Sequence, residues 1–275
     1  VAGEWVFLVV LWSVTVIIVA VGATPITDRQ LVKWSVRYNV LVADASSQGW
    51  LSWQLRRARV VRWTLFAIGL NVGFAPMYVN VIDAERASDF ANPLITQAPF
   101  AMAALGAVLA EFSLVRRPRG KRSAAIVTRR WSDYIERFWL VIIVCTVPIS
   151  SAASWFALTR SDTDPTWLWV APTASVLAVA AATVGVHVVV KRPANAFSEE
   201  SRRIDDALRA DGTHHVVGAS VALGGIAACS SMTIALGSSA WSAVPALLTY
   251  MFIGCWYGIA CTDRWNVDQA RLQHA

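Results

Sequence analysis

Apolar residues in this chain run in long unbroken stretches, unlike the alternation of a half-buried strand or the one-sided stripe of a surface helix. Seven stretches have spanning length: Trp5–Ala23, Trp63–Ile82, Leu94–Val115, Phe138–Leu158, Trp167–Val190, Val216–Leu236 and Ala243–Thr262. A bilayer-spanning helix needs about 20 mostly apolar residues. Backbone polar groups in lipid are satisfied only in helices or closed barrels. Continuous apolar runs lack the dyad pattern of a barrel strand. The pattern therefore predicts an all-α membrane protein, seven transmembrane helices in one integral membrane domain over residues 1–275.

Composition agrees. The chain is 56% hydrophobic with mean hydropathy +0.49, too oily for a soluble domain of this size. Charge then sets orientation. Thr24–Arg62, Arg116–Arg137, Lys191–His215 and the tail after Thr262 carry 22 of the 24 Lys and Arg, and Arg86 and Arg160 are the rest. The positive-inside rule makes the basic side cytoplasmic, so the N-terminus is outside and the C-terminus inside. The expected setting is the plasma membrane of a bacterium. The excess of 21 Arg over 3 Lys points to a GC-rich genome. The basic loops are expected to meet anionic lipid headgroups; no recognition module for nucleic acid accompanies them.

Val21-Gly22-Ala23 resembles a signal-peptidase site, but Glu4 and the lack of a basic residue before Trp5 do not suit a secretory leader. Trp5–Ala23 is expected to be a retained span. Cys145, Cys229, Cys255 and Cys261 all fall in predicted spans without a C-x-x-C pair, which predicts buried thiols and neither disulfide nor zinc.

Two markers recur every 73 residues. Arg56-Arg57, Arg129-Arg130 and Arg202-Arg203 form one series; Pro99, Pro172 and Pro245 form the other. Ser88-Asp89 and Ser161-Asp162 share the register. Each doublet precedes a rising span, and each proline opens a descending one that ends in Arg116-Arg117-Pro118, Lys191-Arg192-Pro193 or Asp263-Arg264. Residues 56–128, 129–201 and 202–274 would then be three parallel two-helix repeats, with Trp5–Ala23 as one extra helix. The arrangement is similar to that of mitochondrial carriers. Their acidic-basic proline motif is absent, however: Phe-Ala, Thr-Ala and Ala-Leu follow the three prolines.

Thr128-Arg129-Arg130-Trp131-Ser132-Asp133-Tyr134 resembles a segment of uncharacterised actinobacterial polytopic membrane proteins, in which Arg-Arg-x-x-Asp-Tyr leads into a span. A second copy would be Arg202-Arg203-Ile204-Asp205-Asp206-Ala207, which lacks the Tyr. The resemblance implies a multi-pass membrane protein and no particular activity.

Polar residues inside the spans are few, and each marks a candidate site. Asn71 lies within Gly69-Leu70-Asn71-Val72-Gly73-Phe74-Ala75-Pro76, and Gly254-Cys255-Trp256-Tyr257-Gly258 repeats the small-residue spacing. Gly69, Gly73, Gly254 and Gly258 are read as helix-packing positions. The alternative is a broken helix lining a cavity, with Asn71 in it. Glu111 and His187 lie at similar depths in adjacent repeats. Paired, they would relay a proton or hold a cation. Singly, each snorkels to the cytoplasmic interface, Glu111 toward Arg116 and His187 toward Lys191. Trp50–Trp63 reads as a helix that starts on the membrane surface and turns into the second span. Ser198–Arg209 reads as a charged, solvated helix face, and His214-His215 as incidental. Many of the 14 Trp lie near span ends, as interfacial anchors do. The Gly- and Ser-rich sixth span suits a central position.

Lysine is missing from every predicted span, which rules out a retinal Schiff base. Phosphate-loop, nucleophile-elbow, metalloprotease and dinucleotide motifs are missing too, so no cofactor, metal or catalytic pair is expected. Two function classes remain: a small permease or permease subunit, and a non-transporting scaffold or sensor partner that acts through its basic loops.

Overall fold

The computed structural model describes residues 2–40, 42, 45–79, 91–114, 130–159, 169–192, 199–236 and 240–262. Arg86, Arg129, Arg160, Arg116-Arg117-Pro118, Pro193, Asp263-Arg264 and both Ser-Asp pairs lie outside the described residues. Eight α-helices appear among those described, with no strand: α1 (Ala2–Ala23), α2 (Asp28–Arg37), α3 (Ala45–Val79), α4 (Ala91–Leu114), α5 (Arg137–Leu158), α6 (Val170–Lys191), α7 (Glu199–Leu236) and α8 (Ala243–Tyr257).

Four helical segments are long and apolar enough to cross a membrane: Arg137–Leu158, Val170–Lys191, Arg202–Leu236 and Ala243–Ala260. A fifth is reached only if Leu8–Ala23 and Asp28–Arg37, bent by 76°, count as one. The apolar helix in the third predicted span is shorter, Gln97–Phe112. In α3, Arg56, Arg57, Arg59 and Arg62 precede the apolar half. That helix is continuous from Ala45, so the expected turn between a surface helix and the second span does not form.

Helix α2 fills part of the first basic loop. Thr27 and Gln30 cap its start reciprocally: Gln30 N donates to Thr27 Oγ1 at 3.3 Å, and Thr27 N donates to Gln30 Oε1 at 3.1 Å. Its end closes through Asn39 at φ 50°, a conformation Asn tolerates, with Val40 N reaching back to Ser35 O at 2.9 Å. This turn folds Val40 against the bundle.

Helix α7 is the centre. It packs against α4, α5, α6 and α8, as its small residues led one to expect. A side chain at Gly224 would come within 2.6 Å of Thr146 on α5, and one at Gly225 would enter the Phe252 ring on α8. On α6, Gly185 makes the same kind of close approach to Val216. Around this axis the core is built of small and branched residues, including Ala178, Ala182, Val217, Val221, Ala222 and Ile226.

A second apolar cluster joins the three basic loops at one end of the bundle. Trp34, Tyr38 and Leu51 from the first loop meet Tyr134 from the second and Ile204, Ala207 and Leu208 from the third. The three loops therefore share one end. Exposed Trp155, Trp169 and Trp241 flank helix termini at the other.

The structure corrects several expectations. Pro172 and Pro245 sit near the starts of α6 and α8, but Pro99 lies inside α4 rather than opening it. Gly69 does pack closely: a Cβ there would fall 2.6–2.8 Å from Ala98, Pro99 and Met102 of α4. Gly73 is buried, whereas Gly254 faces open space and Gly258 belongs to a π turn after α8. Cys145 is exposed on α5, while Cys229 is buried. Most of all, the second half of the Ser198–Arg209 face is not solvated: Asp205, Asp206 and Arg209 are 2%, 2% and 0% exposed, while Arg203 stays exposed. Helix α7 is enclosed from Ile204 to Ala210, so the charges there turn to partners instead of water.

Candidate functional site

Those partners form a charge network across four helices. On α7, Asp205 Oδ2 accepts from Arg209 one turn later, at 2.9 Å. Asp205 Oδ1 accepts from Arg192, at the end of α6, at 3.0 Å. The other arm of Arg192 donates to Glu111 of α4 at 3.1 Å. Arg62 of α3 lies 3.7 Å from Glu111 and 3.5 Å from Asp211 of α7. Three arginines thus meet three carboxylates, all largely buried. An unpaired ion taken from water costs several kcal/mol, so a balanced set is the form in which such groups persist inside a bundle.

Arginines also complete helix ends, Arg209 of the network among them. The last carbonyls of a helix have no partner within it and carry the negative end of its dipole. Arg209 Nη1 donates to Val189 O near the end of α6, at 2.5 Å. Arg37 donates to Ala260 O at 2.7 Å and Ile259 O at 3.1 Å, beyond α8. Arg56 donates to Ala23 O at 3.0 Å, while Arg59 reaches Gly22 O and Thr24 O. Three helices that end at the loop cluster are therefore capped by arginines from neighbouring segments. Basic residues that the sequence presented as an orientation signal also terminate helices.

Tyr38 links the loop cluster to the network. Its O–H donates to Asp211 Oδ1 at 3.0 Å. Burial, and then the charge of Asp211, push its ionisation well above the usual phenol range, so it remains a neutral donor. Tyr134 O–H reaches Asp206 at 3.4 Å, and His214 lies 3.5 Å from Arg37. The His-His pair is therefore part of this assembly rather than incidental; His215 lies 3.9 Å from Asp211.

A cavity of about 380 Å³ opens beside Arg62. Trp34, Trp63, Phe66 and Trp256 give it aromatic walls, and Arg59, Arg62, Asp211 and His215 its polar lining. Trp34 Nε1 and Arg62 Nε, in two of the lining residues, are buried and have no acceptor among the described residues.

The sequence-predicted residues are dispersed. Glu111 belongs to the network and is 1% exposed; it does not snorkel. His187 is exposed on α6, away from Glu111, and the two do not form a pair. Asn71 donates to Thr15 Oγ1 of α1 at 2.9 Å and to Ala67 O at 2.8 Å, tying α1 to α3 in a helix that stays unbroken. Sequence reading missed Arg62, Arg192, Asp205, Arg209 and Asp211. The available signal was the Asp205–Arg209 spacing of one turn, leading without a break into an apolar span. Among the described residues no cluster of His, Cys, Asp and Glu has metal-binding geometry. No protein-family model, curated protein or solved structure matches this chain.

Proposed function

We propose that this chain is a seven-span integral membrane protein, N-terminus outside, that acts as a small permease or permease subunit. In this reading the charge network closes the cytoplasmic end of the bundle, and the adjoining cavity takes a small solute with an apolar, aromatic body and one anionic end. The observation that carries it is the cavity itself, with aromatic walls from Trp34, Trp63, Phe66 and Trp256 beside Arg59 and Arg62. The cavity's charged lining, Arg59 and Arg62 against Asp211, leaves one positive charge in excess with His215 neutral. The basic loops rest against anionic headgroups of a bacterial plasma membrane. The 73-residue period reflects a duplicated hairpin, with α1 added.

A second reading, a sensor or scaffold that binds the solute without moving it, is favoured by the dry core beyond the cavity, where Val217, Val221 and Ile226 are fully buried. 2-Naphthalenesulfonate, a permanent and fluorescent anion, separates the two. Saturable uptake into proteoliposomes, weakened by Trp34→Phe, supports the permease. Saturable binding without uptake supports the sensor. The absence of both binding and uptake would contradict a solute site.

A further inference from the structure

A groove of about 680 Å³ runs between α5 and α6, separate from the cavity above. That volume lies within the range of about 300–1,000 Å³ usual for ligand sites. Its two ends differ in chemistry. At the loop end stand Arg130, Arg137 and Lys191, with Trp131 and His187 beside them. Along the rest, Leu140, Val144, Val179 and Val186 supply apolar walls. Among the described residues no carboxylate lines it; the nearby Asp133 carboxylate accepts from Arg130 N at 2.8 Å. Arg137 and Lys191 are exposed and make no ion pair among the described residues, and Arg137 stacks over the Trp131 ring at 5.8 Å. From Lys191 to Val179 the helix rises about 18 Å at 1.5 Å per residue, close to one leaflet of a hydrocarbon core about 30 Å thick.

We infer that this groove is a site for one anionic glycerophospholipid, its phosphate held by Arg130, Arg137 and Lys191 and an acyl chain lying between α5 and α6. Charge complementarity carries the choice. Three cations in a lining that holds no carboxylate select a negative headgroup, and their position at the end of two membrane-length helices puts that headgroup at the interface. A zwitterionic lipid would bring a second positive charge to the same place. The apolar lining requires a chain, which free phosphate lacks. The inference needs the membrane setting but not the solute reading.

Native mass spectrometry of the delipidated full chain, titrated with dioleoyl phosphatidylglycerol, dioleoyl phosphatidylcholine or inorganic phosphate, tests it. The glycerol lipid should bind at least roughly tenfold more tightly than the choline lipid, the scale expected for two or three basic contacts. The pair Arg137→Gln and Lys191→Gln should remove most of that preference, while Arg29→Gln, exposed on α2, should leave it. Thr183→Trp, on the exposed wall of the groove, should weaken phosphatidylglycerol binding without touching the charges. Equal binding of both lipids would overturn the site. So would equal losses in the groove and Arg29 variants, which would mean general surface attraction. Full competition by phosphate alone, or no effect of Thr183→Trp, would remove the acyl component and with it the proposal.

Discussion

The carboxylate of Glu111 rests against Gly212, in the space that a side chain on α7 would fill. The contact lets α4 and α7 approach closely enough for Glu111 to meet Arg192 and Arg62. Gly212→Ala should therefore force the carboxylate aside. Overpacking of this kind costs about 1–3 kcal/mol. A lowered midpoint of thermal unfolding in detergent checks it; an unchanged midpoint would show that the carboxylate can move freely.

Asp205 holds two arginines, so its loss leaves both without their shared anion. Breaking a buried ion pair from one side costs about 3–5 kcal/mol. Asp205→Ala should destabilise by that order. Adding Arg209→Met should cost less than the two single changes combined, because contacting residues do not act additively. Additive losses in denaturant titrations would show that the two side chains are energetically independent.

The two small-residue pairs in the spans should behave differently. Gly69→Val should disrupt the α3–α4 contact at Pro99, whereas Gly254→Val should be tolerated within one chain, since nothing lies within 4 Å of that position. Comparing the thermal midpoints of the two variants decides this. Similar losses at both positions would mean that Gly254 has a packing partner outside the chain.

These contrasts show what the sequence could convey. Long apolar runs announced membrane-length helices, and the small residues of Val216–Leu236 announced the central one, because spanning length and close approach are local properties. The network was not legible. Asp205, Asp206 and Arg209 have the composition of a solvated helix face; their burial depends on Trp34, Tyr38 and Tyr134 arriving from far along the chain. Glu111 was legible as an unusual residue but not by its partners, since Arg192 and Arg62 come from other helices. Gly254 shows the reverse error, a packing motif whose face meets nothing among the described residues.

Tyr38 gives the network a pH signature. Folding holds the phenol protonated above the pH at which an unfolded tyrosine ionises, about 10. Its contribution to stability is therefore complete below about pH 10 and is lost as pH rises from there through the raised folded value. Tyr38→Phe should cost about 1 kcal/mol at pH 8 through the lost bond to Asp211. The gap should close in denaturant titrations above pH 10. A gap constant up to strongly alkaline pH would place the ionisation of Tyr38 elsewhere.

The central claim is that the three basic loops, gathered at one end of the bundle, face the cytoplasm. Labelling of single cysteines in intact cells with a membrane-impermeant thiol reagent, in a background without the native cysteines, tests it most directly. Lys33→Cys and Glu136→Cys, exposed at the loop end, should stay unlabelled until the cells are permeabilised. Thr159→Cys and Trp241→Cys, exposed at the other end, should label at once. Immediate labelling of Lys33→Cys or Glu136→Cys in intact cells would contradict the account.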